Sequence, residues 1–417
     1  MKKDTSVGAG ASTVSWETLE AYARLHVQSF IQALLEEEVT ALLGRVKSQR
    51  RDAVDARTGY RNGHGKPRRL SMQGGTITVQ RPRVRGVEER FESRVLPLFE
   101  RRTKEVGELL PELYLHGLAN GDFELALRGL LGDGAPLSPS SIERLKAKWQ
   151  VEHDAWCQRR LDDRELVYAW ADGVYVKAGL EREKAALLVV VGAMRDGRKE
   201  VLAIAPGHRE STESWSEVFR DLRDRGLEPP RLLVADGNAG TWAAAAAIWP
   251  DMAEQRCWNH KIVNVLDKLP KKLQGEASEM LTKIPYAPTK SEARKRRDEF
   301  TLRFRRHHPE AVENLEKDWD QLVAFYAFPQ EHWKHLRTTN VVESPFASVR
   351  LRTGAAKRFK KVPNATVLIW KVLMLAERRF RRLDAPELLA DVYDGRTFTD
   401  GKAVVKSIRK QEKKVAA

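Results

Sequence analysis

Three acidic residues stand where carboxylates could act together. Asp172 and Asp236 each follow an apolar run inside the same tripeptide, Ala-Asp-Gly, and Glu343 lies in the segment RTTNVVES. Carboxylates brought side by side repel one another and raise one another's pKa unless a cation neutralises them. If the fold gathers these side chains, a divalent metal ion is the economical way to balance their charge.

Each acid also has a structural interpretation that needs no chemistry. Asp172 and Asp236 could be the turn residues of Asp-Gly bends. With Asn340 as the cap of a helix, Glu343 would be the third helical residue, from which a carboxylate can reach back to the backbone N–H of the cap. The elements around the three acids must decide between these interpretations.

A mixed α/β sheet is predicted around the two aspartates. Three strand-like runs, LVYAWADGVYVKAG, KAALLVVVGAMRDG and KEVLAIAPG, precede a helix over Thr212–Arg225. The apolar run RLLVADGN, a helix over Thr241–Ile248 and a strand near Arg256 follow. The order β-β-β-α-β allows the first and fourth strands to be neighbours, and Asp172 and Asp236 would then protrude side by side.

Glu343 is predicted to lie in the first turn of a helix. Thr338, Thr339 and Asn340 are good cap residues, and apolar residues then recur at helical spacing. The charged, helix-forming sequence of residues 261–335 predicts an all-helical insertion between Arg256 and this segment. Its arginine-rich stripe is either a solvated helix face or a surface that contacts nucleic acid, and the excess of arginine over acid favours nucleic acid.

The N-terminal part of the sequence is helical and basic. Ser15 caps an amphipathic helix that fades near Gly44, and arginine-dense sequence broken by glycines follows, with an alternating strand in TITVQRPRVRG. Three short helices are predicted over Glu105–Leu115, Asp122–Leu131 and Ser140–Lys148, the third basic like the recognition helix of a helix-turn-helix. The alternatives are a solvated or disordered linker for the arm and an ordinary structural element for the three helices.

Composition sets the class of partner. The chain has 417 residues, 42% of them apolar, a formal charge of +15 and a pI near 9.7. A length of this kind predicts two to four domains, and the charge favours a polyanion as partner. Two cysteines predict a reducing compartment without disulfides, and the sequence shows neither a secretory signal nor a membrane span.

The pair Cys257 and His260 forms half of a zinc-site pattern. Because no second pair has ligand spacing, a buried cysteine and a hydrogen-bonded histidine are expected instead of structural zinc. Trp258 between them is either a core residue or a platform for an unpaired base.

Read together, these segments resemble the Mutator-like transposases of bacterial insertion sequences. The matching segments are ADGVYVK (171–177), ADG (235–237), CWNHK (257–261), RTTNVVES (337–344), YRNG (60–63) and RPR (81–83). The resemblance covers most of residues 45–382. It implies a DDE enzyme whose catalytic domain is an RNase H-like mixed sheet flanked by helices, with an all-helical insertion and a helical N-terminal DNA-binding region.

The resemblance also implies a site, a cofactor and partners. Asp172, Asp236 and Glu343 would be the catalytic, metal-binding triad, with two Mg²⁺ ions that Mn²⁺ can replace. The partners would be double-stranded DNA at the terminal inverted repeats and at the target, and the protein would work as a homodimer or higher synaptic assembly in the bacterial cytoplasm, associated with the nucleoid. A structure-selective nuclease and a non-catalytic DNA-binding protein derived from a transposase remain as alternatives.

The expected DNA contacts are basic residues and the residues of the CWNHK segment. They are Arg61, Arg81, Arg83, Arg144, Lys146, Lys148, Trp258, His260, Lys261, Arg294, Arg296, Arg297, Arg350, Arg352, Lys357 and Arg358. The expected domains are an N-terminal helix (1–44), a basic arm with short strands (45–102), a helix-turn-helix-like region (103–160), a catalytic domain (161–260 and 336–385), a helical insertion (261–335) and a basic C-terminal tail (386–417).

Overall fold

The computed structural model describes residues 15–404, except for residues 17, 52, 55–57, 99, 119–121, 132–138, 179–184, 208–209, 357–358 and 360. The chain divides into two compact units, residues 1–145 and 146–417. None of the helices in the described ranges is long and apolar enough to cross a membrane.

The first unit begins with one long helix and two antiparallel sheets of two strands each. Its first elements are α1 (Leu19–Leu43), β1 (Tyr60–His64), β2 (Arg68–Met72), β3 (Gly75–Val79) and β4 (Pro82–Arg85). Helix α1 ends at Gly44, whose φ of 66° is left-handed and whose N–H donates to the carbonyl of Thr40. Strand β1 pairs with β4 and β2 with β3, both antiparallel, and Leu35 of α1 packs with Ile77 and Val79 of β3.

One expectation for this unit needs correction. The single strand expected in TITVQRPRVRG is two strands, because Pro82 cannot continue the ladder of β3 and begins β4 instead. The basic arm contains short strands, as expected, and they include β1 and β2. The helices that follow are α2 (Lys104–Leu115), α3 (Phe123–Leu131) and α4 (Pro139–Cys157), which includes residues of both units. Helix α4 continues nine residues beyond the expected end at Lys148 because no glycine or proline interrupts WQVEHDAWC.

The second unit is built on a five-stranded mixed sheet. The strands are β5 (Leu166–Val176), β6 (Ala185–Met194), β7 (Lys199–Gly207), β8 (Leu232–Ala235) and β9 (Ala253–Arg256), in the order β7-β6-β5-β8-β9. Strands β5, β6 and β7 are antiparallel neighbours, whereas β8 runs parallel to both β5 and β9. The mixed sheet and the pairing of the first and fourth strands confirm the prediction from the sequence.

Helices cover the sheet and carry the chain to Glu343. Helices α5 (Thr212–Asp224) and α6 (Ala239–Ile248) pack on the sheet, where Trp215, Phe219 and Ala244 join the core. The long interval after β9 is helical, as predicted. It contains α7 (Trp258–Leu266), α8 (Lys271–Lys283), α9 (Lys290–Phe304), α10 (Pro309–Glu316), α11 (Trp319–Leu322), two 3₁₀ turns (Ala324–Ala327 and Gln330–His332) and α12 (Trp333–Leu336).

The end of the described chain is folded. It contains α13 (Asn340–Glu343), α14 (Phe346–Ala356), α15 (Val362–Glu377), α16 (Glu387–Tyr393) and a hairpin of β10 (Phe398–Thr399) and β11 (Lys402–Ala403). Leu389 in α16 is fully buried, and the N–H of Gly401 donates to the carbonyl of Tyr326. The segment expected to be a basic C-terminal tail (386–417) is therefore folded as far as residue 404, and residues 405–417 lie outside the described part.

Candidate active site

Two parallel strands place Asp172 and Asp236 together. In the ladder of β5 and β8, Ala171 lies opposite Ala235, so the next residue of each chain segment is an aspartate. Both strands are buried, and the two carboxylates emerge where the pairing ends. Oxygen atoms of Asp172, Asp236 and Glu210 all lie within 4.8 Å of one another.

The surroundings of Asp172 disfavour its charged form. Burial, followed by the neighbouring carboxylates of Asp236, Glu343 and Glu210, raises the pKa of Asp172 to about 7. A hydrogen bond from the N–H of Gly173 to Oδ1, 2.8 Å long, acts in the opposite direction. These influences describe a carboxylate that lacks a counter-charge.

The turn after β8 orients Asp236. Its Oδ1 accepts a hydrogen bond of 2.9 Å from the N–H of Asn238, whose own side chain caps α6 by accepting from the N–H of Gly240. Gly237 has a φ of +101°, a conformation that residues with a Cβ rarely adopt. The Asp-Gly bend anticipated from the sequence therefore exists, and it directs the carboxylate toward Asp172 and Glu210.

Glu343 lies at the end of α13, near the acidic cluster. Thr339, not Asn340, is the N-cap of α13, and the hydroxyl of Thr339 donates to Oε1 of Glu343. The backbone N–H of Asn340 bonds instead to the hydroxyl of Thr338, so the expected contact of Glu343 with the N–H of Asn340 is wrong. The charge of Glu343 contributes to the raised pKa of Asp172, so it lies within electrostatic range of that carboxylate.

Cys257, His260 and Glu343 form a second group. Donor atoms of these three side chains lie within 4.8 Å of one another. Burial raises the pKa of the Cys257 thiol, but hydrogen bonds to His260 and Thr339 outweigh it and leave the pKa lowered. The hydrogen bond to Cys257 raises the pKa of His260 to about 9, so a cationic imidazole lies beside Glu343 at neutral pH. The expectation of a buried cysteine is confirmed, and Nδ1 of His260 lies 3.9 Å from Oε1 of Glu343.

Three of the expected DNA contacts are buried. The indole N–H of Trp258 donates to the carbonyl of Leu322, 2.7 Å away, and the side chain of Lys261 is fully buried against Asp318. Arg352 is only 3% exposed. The predictions that Trp258 stacks on a base and that Lys261 and Arg352 contact DNA are therefore wrong, because aromatic and basic patterns in a sequence do not reveal burial.

The other expected contacts differ in exposure. Arg83, Arg144, Lys148, Arg294 and Arg350 are exposed. Arg61, Arg81, Lys146, His260, Arg296 and Arg297 are partly buried, and Lys357 and Arg358 lie outside the described residues.

Several arginines already have protein partners. Arg61 pairs with Glu36 at 2.9 Å, and the Arg297 guanidinium lies 4.4 Å from the ring centroid of Trp319. The basic stripe is therefore less available to a polyanion than the sequence predicted.

Glu210 is the member of the acidic cluster that sequence reasoning missed. It lies in the loop between β7 and α5, directly before Ser211, the N-cap of α5. The one signal in the sequence was an acid immediately ahead of a serine cap in GHREST, and such residues are common without any function.

Comparison with known proteins identifies the family. The model of the family described as "Transposase, Mutator family" matches residues 6–382. The chain is 43% identical over 297 residues to the transposase for insertion sequence element IS6120 of Mycolicibacterium smegmatis, covering 71% of this chain and 92% of the relative. It is 41% identical over 278 residues to the transposase for insertion sequence element IST2 of Acidithiobacillus ferrooxidans, covering 66% of this chain and 94% of the relative. The chain belongs to the Mutator family of transposases.

Proposed function

We propose that this protein is the transposase of an insertion sequence and that it cuts and joins DNA with a divalent metal ion. The observation that carries the proposal is the placement of Asp172, within β5, beside Asp236, which directly follows the parallel strand β8, with the charge of Glu343 in range of Asp172. Relatives named as transposases for insertion sequence elements support it. We further propose that the sheet and its helices are RNase H-like, interrupted by the helical insertion.

The side chains of the site fit a hard cation. The cluster of Asp172, Asp236 and Glu210 offers only carboxylate oxygens, which Mg²⁺ and Mn²⁺ prefer. The raised pKa of Asp172 and the buried Oε2 of Glu210, which has no hydrogen-bond partner among the described residues, both indicate missing positive charge. We assign Asp172, Asp236 and Glu343 as the ligands of two Mg²⁺ ions. Bound Mg²⁺ supplies Lewis-acid stabilisation of the attacking and leaving oxygens of a phosphodiester.

The reaction consists of two displacements at phosphorus. Water first attacks the phosphodiester at the element end and releases a 3′-hydroxyl, which then attacks a phosphodiester of the target DNA and displaces its 3′-oxygen. Neither displacement needs a covalent protein intermediate, so no serine or tyrosine nucleophile is assigned. Within the site, the N–H groups of Gly173 and Asn238 hold the two aspartates, and the hydroxyl of Thr339 holds Glu343.

We propose that the N-terminal region recognises the terminal inverted repeats. The exposed Arg83 and Arg144 suit contacts with phosphates. Arg294 and Arg350 are exposed in the other unit and suit contacts with the element end or the target. Both ends of the element must be joined to the target DNA, so we expect a homodimer or higher synaptic assembly. We expect it to work on the DNA of the nucleoid in the cytoplasm.

Removal of the Glu343 charge tests the catalytic assignment. We expect Glu343→Gln to lower the rate of Mg²⁺- or Mn²⁺-dependent cleavage of a labelled element end by at least about 100-fold, because a ligand to the cation is lost. Glu331→Gln, at an exposed glutamate of a 3₁₀ turn, is the matched control and should cleave normally. Normal cleavage by Glu343→Gln would restore a purely structural role for this residue.

Two rival functions give different results. A nuclease of the same fold would cut the DNA but would not join the released 3′-end to a second duplex, so a strand-transfer assay separates it from a transposase. A non-catalytic DNA-binding protein would bind element ends equally well with and without divalent metal and would cut neither.

A further inference from the structure

We propose that Glu210 is a fourth carboxylate ligand of the divalent-cation site. The inference rests on the proposed function and extends it to a residue outside the Asp172, Asp236 and Glu343 set. A carboxylate oxygen of Glu210 lies within 4.8 Å of oxygens of both Asp172 and Asp236. Carboxylate oxygens bind Mg²⁺ at about 2.0–2.1 Å, so two ligands of one ion lie at most about 4.2 Å apart, and a small inward shift of the side chains lets one cation contact all three.

The backbone of Glu210 is fixed by two helix starts. Ser211 caps α5, its hydroxyl accepting from the N–H of Ser214 at 3.2 Å. The start of α6 packs directly on this segment, where a Cβ added to Gly240 would lie 2.9 Å from the carbonyl oxygen of Glu210. Because α6 begins three residues after Asp236, the contact ties Glu210 to the loop that holds Asp236.

The side chain of Glu210 is held at one oxygen and unsatisfied at the other. Its Oε1 lies against Gly173 and is the atom that a Cβ at that position would meet first, and the neighbouring hydroxyl of Tyr175 lowers the pKa of the carboxyl group. Its Oε2 is buried and has no hydrogen-bond partner among the described residues. A buried carboxylate oxygen left without a donor is costly, so this arrangement calls for a cation or a proton at Oε2.

A proton at Oε2 is the competing explanation. Burial, and then the charge of Asp236, raises the pKa of Glu210, which favours the protonated form while the site holds no cation. A structural carboxylic acid would be replaced well by an uncharged amide of the same shape, whereas a metal ligand would not. The affinity of the protein for the metal separates the two explanations.

The experiment measures Mn²⁺ binding to the full-length protein by calorimetry and by electron paramagnetic resonance. We expect Glu210→Gln to weaken Mn²⁺ binding at least tenfold, because an anionic ligand is lost. Glu213→Gln, three residues further on and exposed in the first turn of α5, is the matched control and should bind Mn²⁺ like the parent protein. Parent-like Mn²⁺ affinity in Glu210→Gln would overturn the proposal.

Further variants keep the result interpretable. Glu210→Asp retains the charge but withdraws the oxygens by one methylene, so it should also bind Mn²⁺ at least tenfold more weakly and serves if Glu210→Gln does not fold. Asp172→Asn tests the proposed function separately. If Asp172→Asn binds Mn²⁺ normally, the metal site itself is misassigned; if Asp172→Asn loses binding and both Glu210 variants keep it, only the role of Glu210 is wrong.

Discussion

Asp172 shows how the acidic cluster depends on a counter-charge. Its carboxylate leaves a buried strand and faces three other acids, and the single N–H of Gly173 does not offset them. The burial of this carboxylate makes its metal-free charge unfavourable. Metal binding and protein stability should therefore be linked through this residue.

Replacement of Asp172 by asparagine tests that link. The pKa of Asp172 is about 7 in the folded protein and 3.8 as an unperturbed reference, so the folded state binds more protons between these values. The free energy of unfolding of the metal-free protein should therefore fall as pH rises from about 4 to 7. Asp172→Asn carries no charge at this position and so does not lose stability as the pH rises. Above pH 7 we expect its free energy of unfolding, without metal, to exceed that of the parent protein by on the order of 1–4 kcal/mol.

Thermal unfolding at pH 5 and pH 8, with and without Mg²⁺, measures the effect. The stability gain of Asp172→Asn should shrink at pH 5, and Mg²⁺ should stabilise the parent but not the variant. Asp251→Asn, at an exposed aspartate outside the cluster, is the control and should follow the parent. An equal gain at both pH values would contradict the assigned cause.

At the scale of elements, one buried ion group connects the helical insertion to the sheet. The carboxylate of Asp318, just before α11, pairs with Arg256 at the end of β9 and with Lys261 in α7. The side chain of Lys261 is fully buried and that of Arg256 is 8% exposed. Burial lowers the pKa of Lys261 to about 8, and its bond to Asp318 acts in the opposite direction.

Removal of Asp318 should leave two buried cations without a partner. We expect Asp318→Ala to lower the free energy of unfolding by about 3–5 kcal/mol, the usual cost of breaking a buried ion pair from one side. Chemical denaturation measures the change, and Asp320→Ala, at an exposed position of α11, is the control. A loss below about 1 kcal/mol would show that the ion group does not stabilise the insertion.

The pattern of apolar residues in the sequence predicted the fully buried elements. It did not predict elements in which charged residues take the place of apolar ones. Strands β5, β6 and β8 are continuous apolar runs, so their order and type were evident. Strands β1 and β2 are short and carry arginine or glycine at four of their ten positions, so their pairing was not visible. The residues that cap α13 were predicted, but the choice of Thr339 over Asn340 follows from contacts with Cys257 that only the fold creates.

At the scale of the whole molecule, the formal charge of +15 overstates the free positive surface. Arg303 is held by Glu276 in two hydrogen bonds of 2.6 and 3.0 Å, and Arg305 is held by Glu316. Arg294, on the same helix α9, is exposed. The two kinds of arginine should contribute differently to DNA binding.

Salt dependence distinguishes them. The logarithm of the DNA-binding constant falls linearly with the logarithm of the salt concentration, and each phosphate contact that is lost makes this slope shallower by about 0.9. Arg294→Ala should therefore make the slope shallower by up to that amount. Arg303→Ala removes the same charge from the chain but a group already neutralised by Glu276, so its slope should stay closer to that of the parent protein. Fluorescence anisotropy with a labelled duplex across a salt series measures the slope for each variant and for the parent protein. A slope in Arg294→Ala equal to that of the parent protein would remove α9 from the interface.

The candidate site was predicted in part because some of its residues mark the ends of elements. Asp172 and Asp236 directly follow apolar runs, and Glu343 lies in the first turn after a run of cap residues, so each had a local signal. Glu210 had none that set it apart, because its place in the cluster comes from the packing of α6 on the loop before α5. Trp258 and Lys261 were misjudged for the same reason, since their burial depends on residues about 60 positions away.

The alignment of Ala171 with Ala235 limits where this protein can tolerate an insertion or deletion and keep its acidic residues paired. Successive side chains in a strand point to opposite faces, so sliding β8 past β5 by one residue would turn Asp236 to the other side of the sheet. Loops between the two strands can gain or lose residues without this effect, but a single deletion within Leu232–Ala235 would separate the paired acids while leaving most of the apolar interior in place. Decayed copies of such an element could therefore encode a well-folded protein that has lost its chemistry through one missing codon.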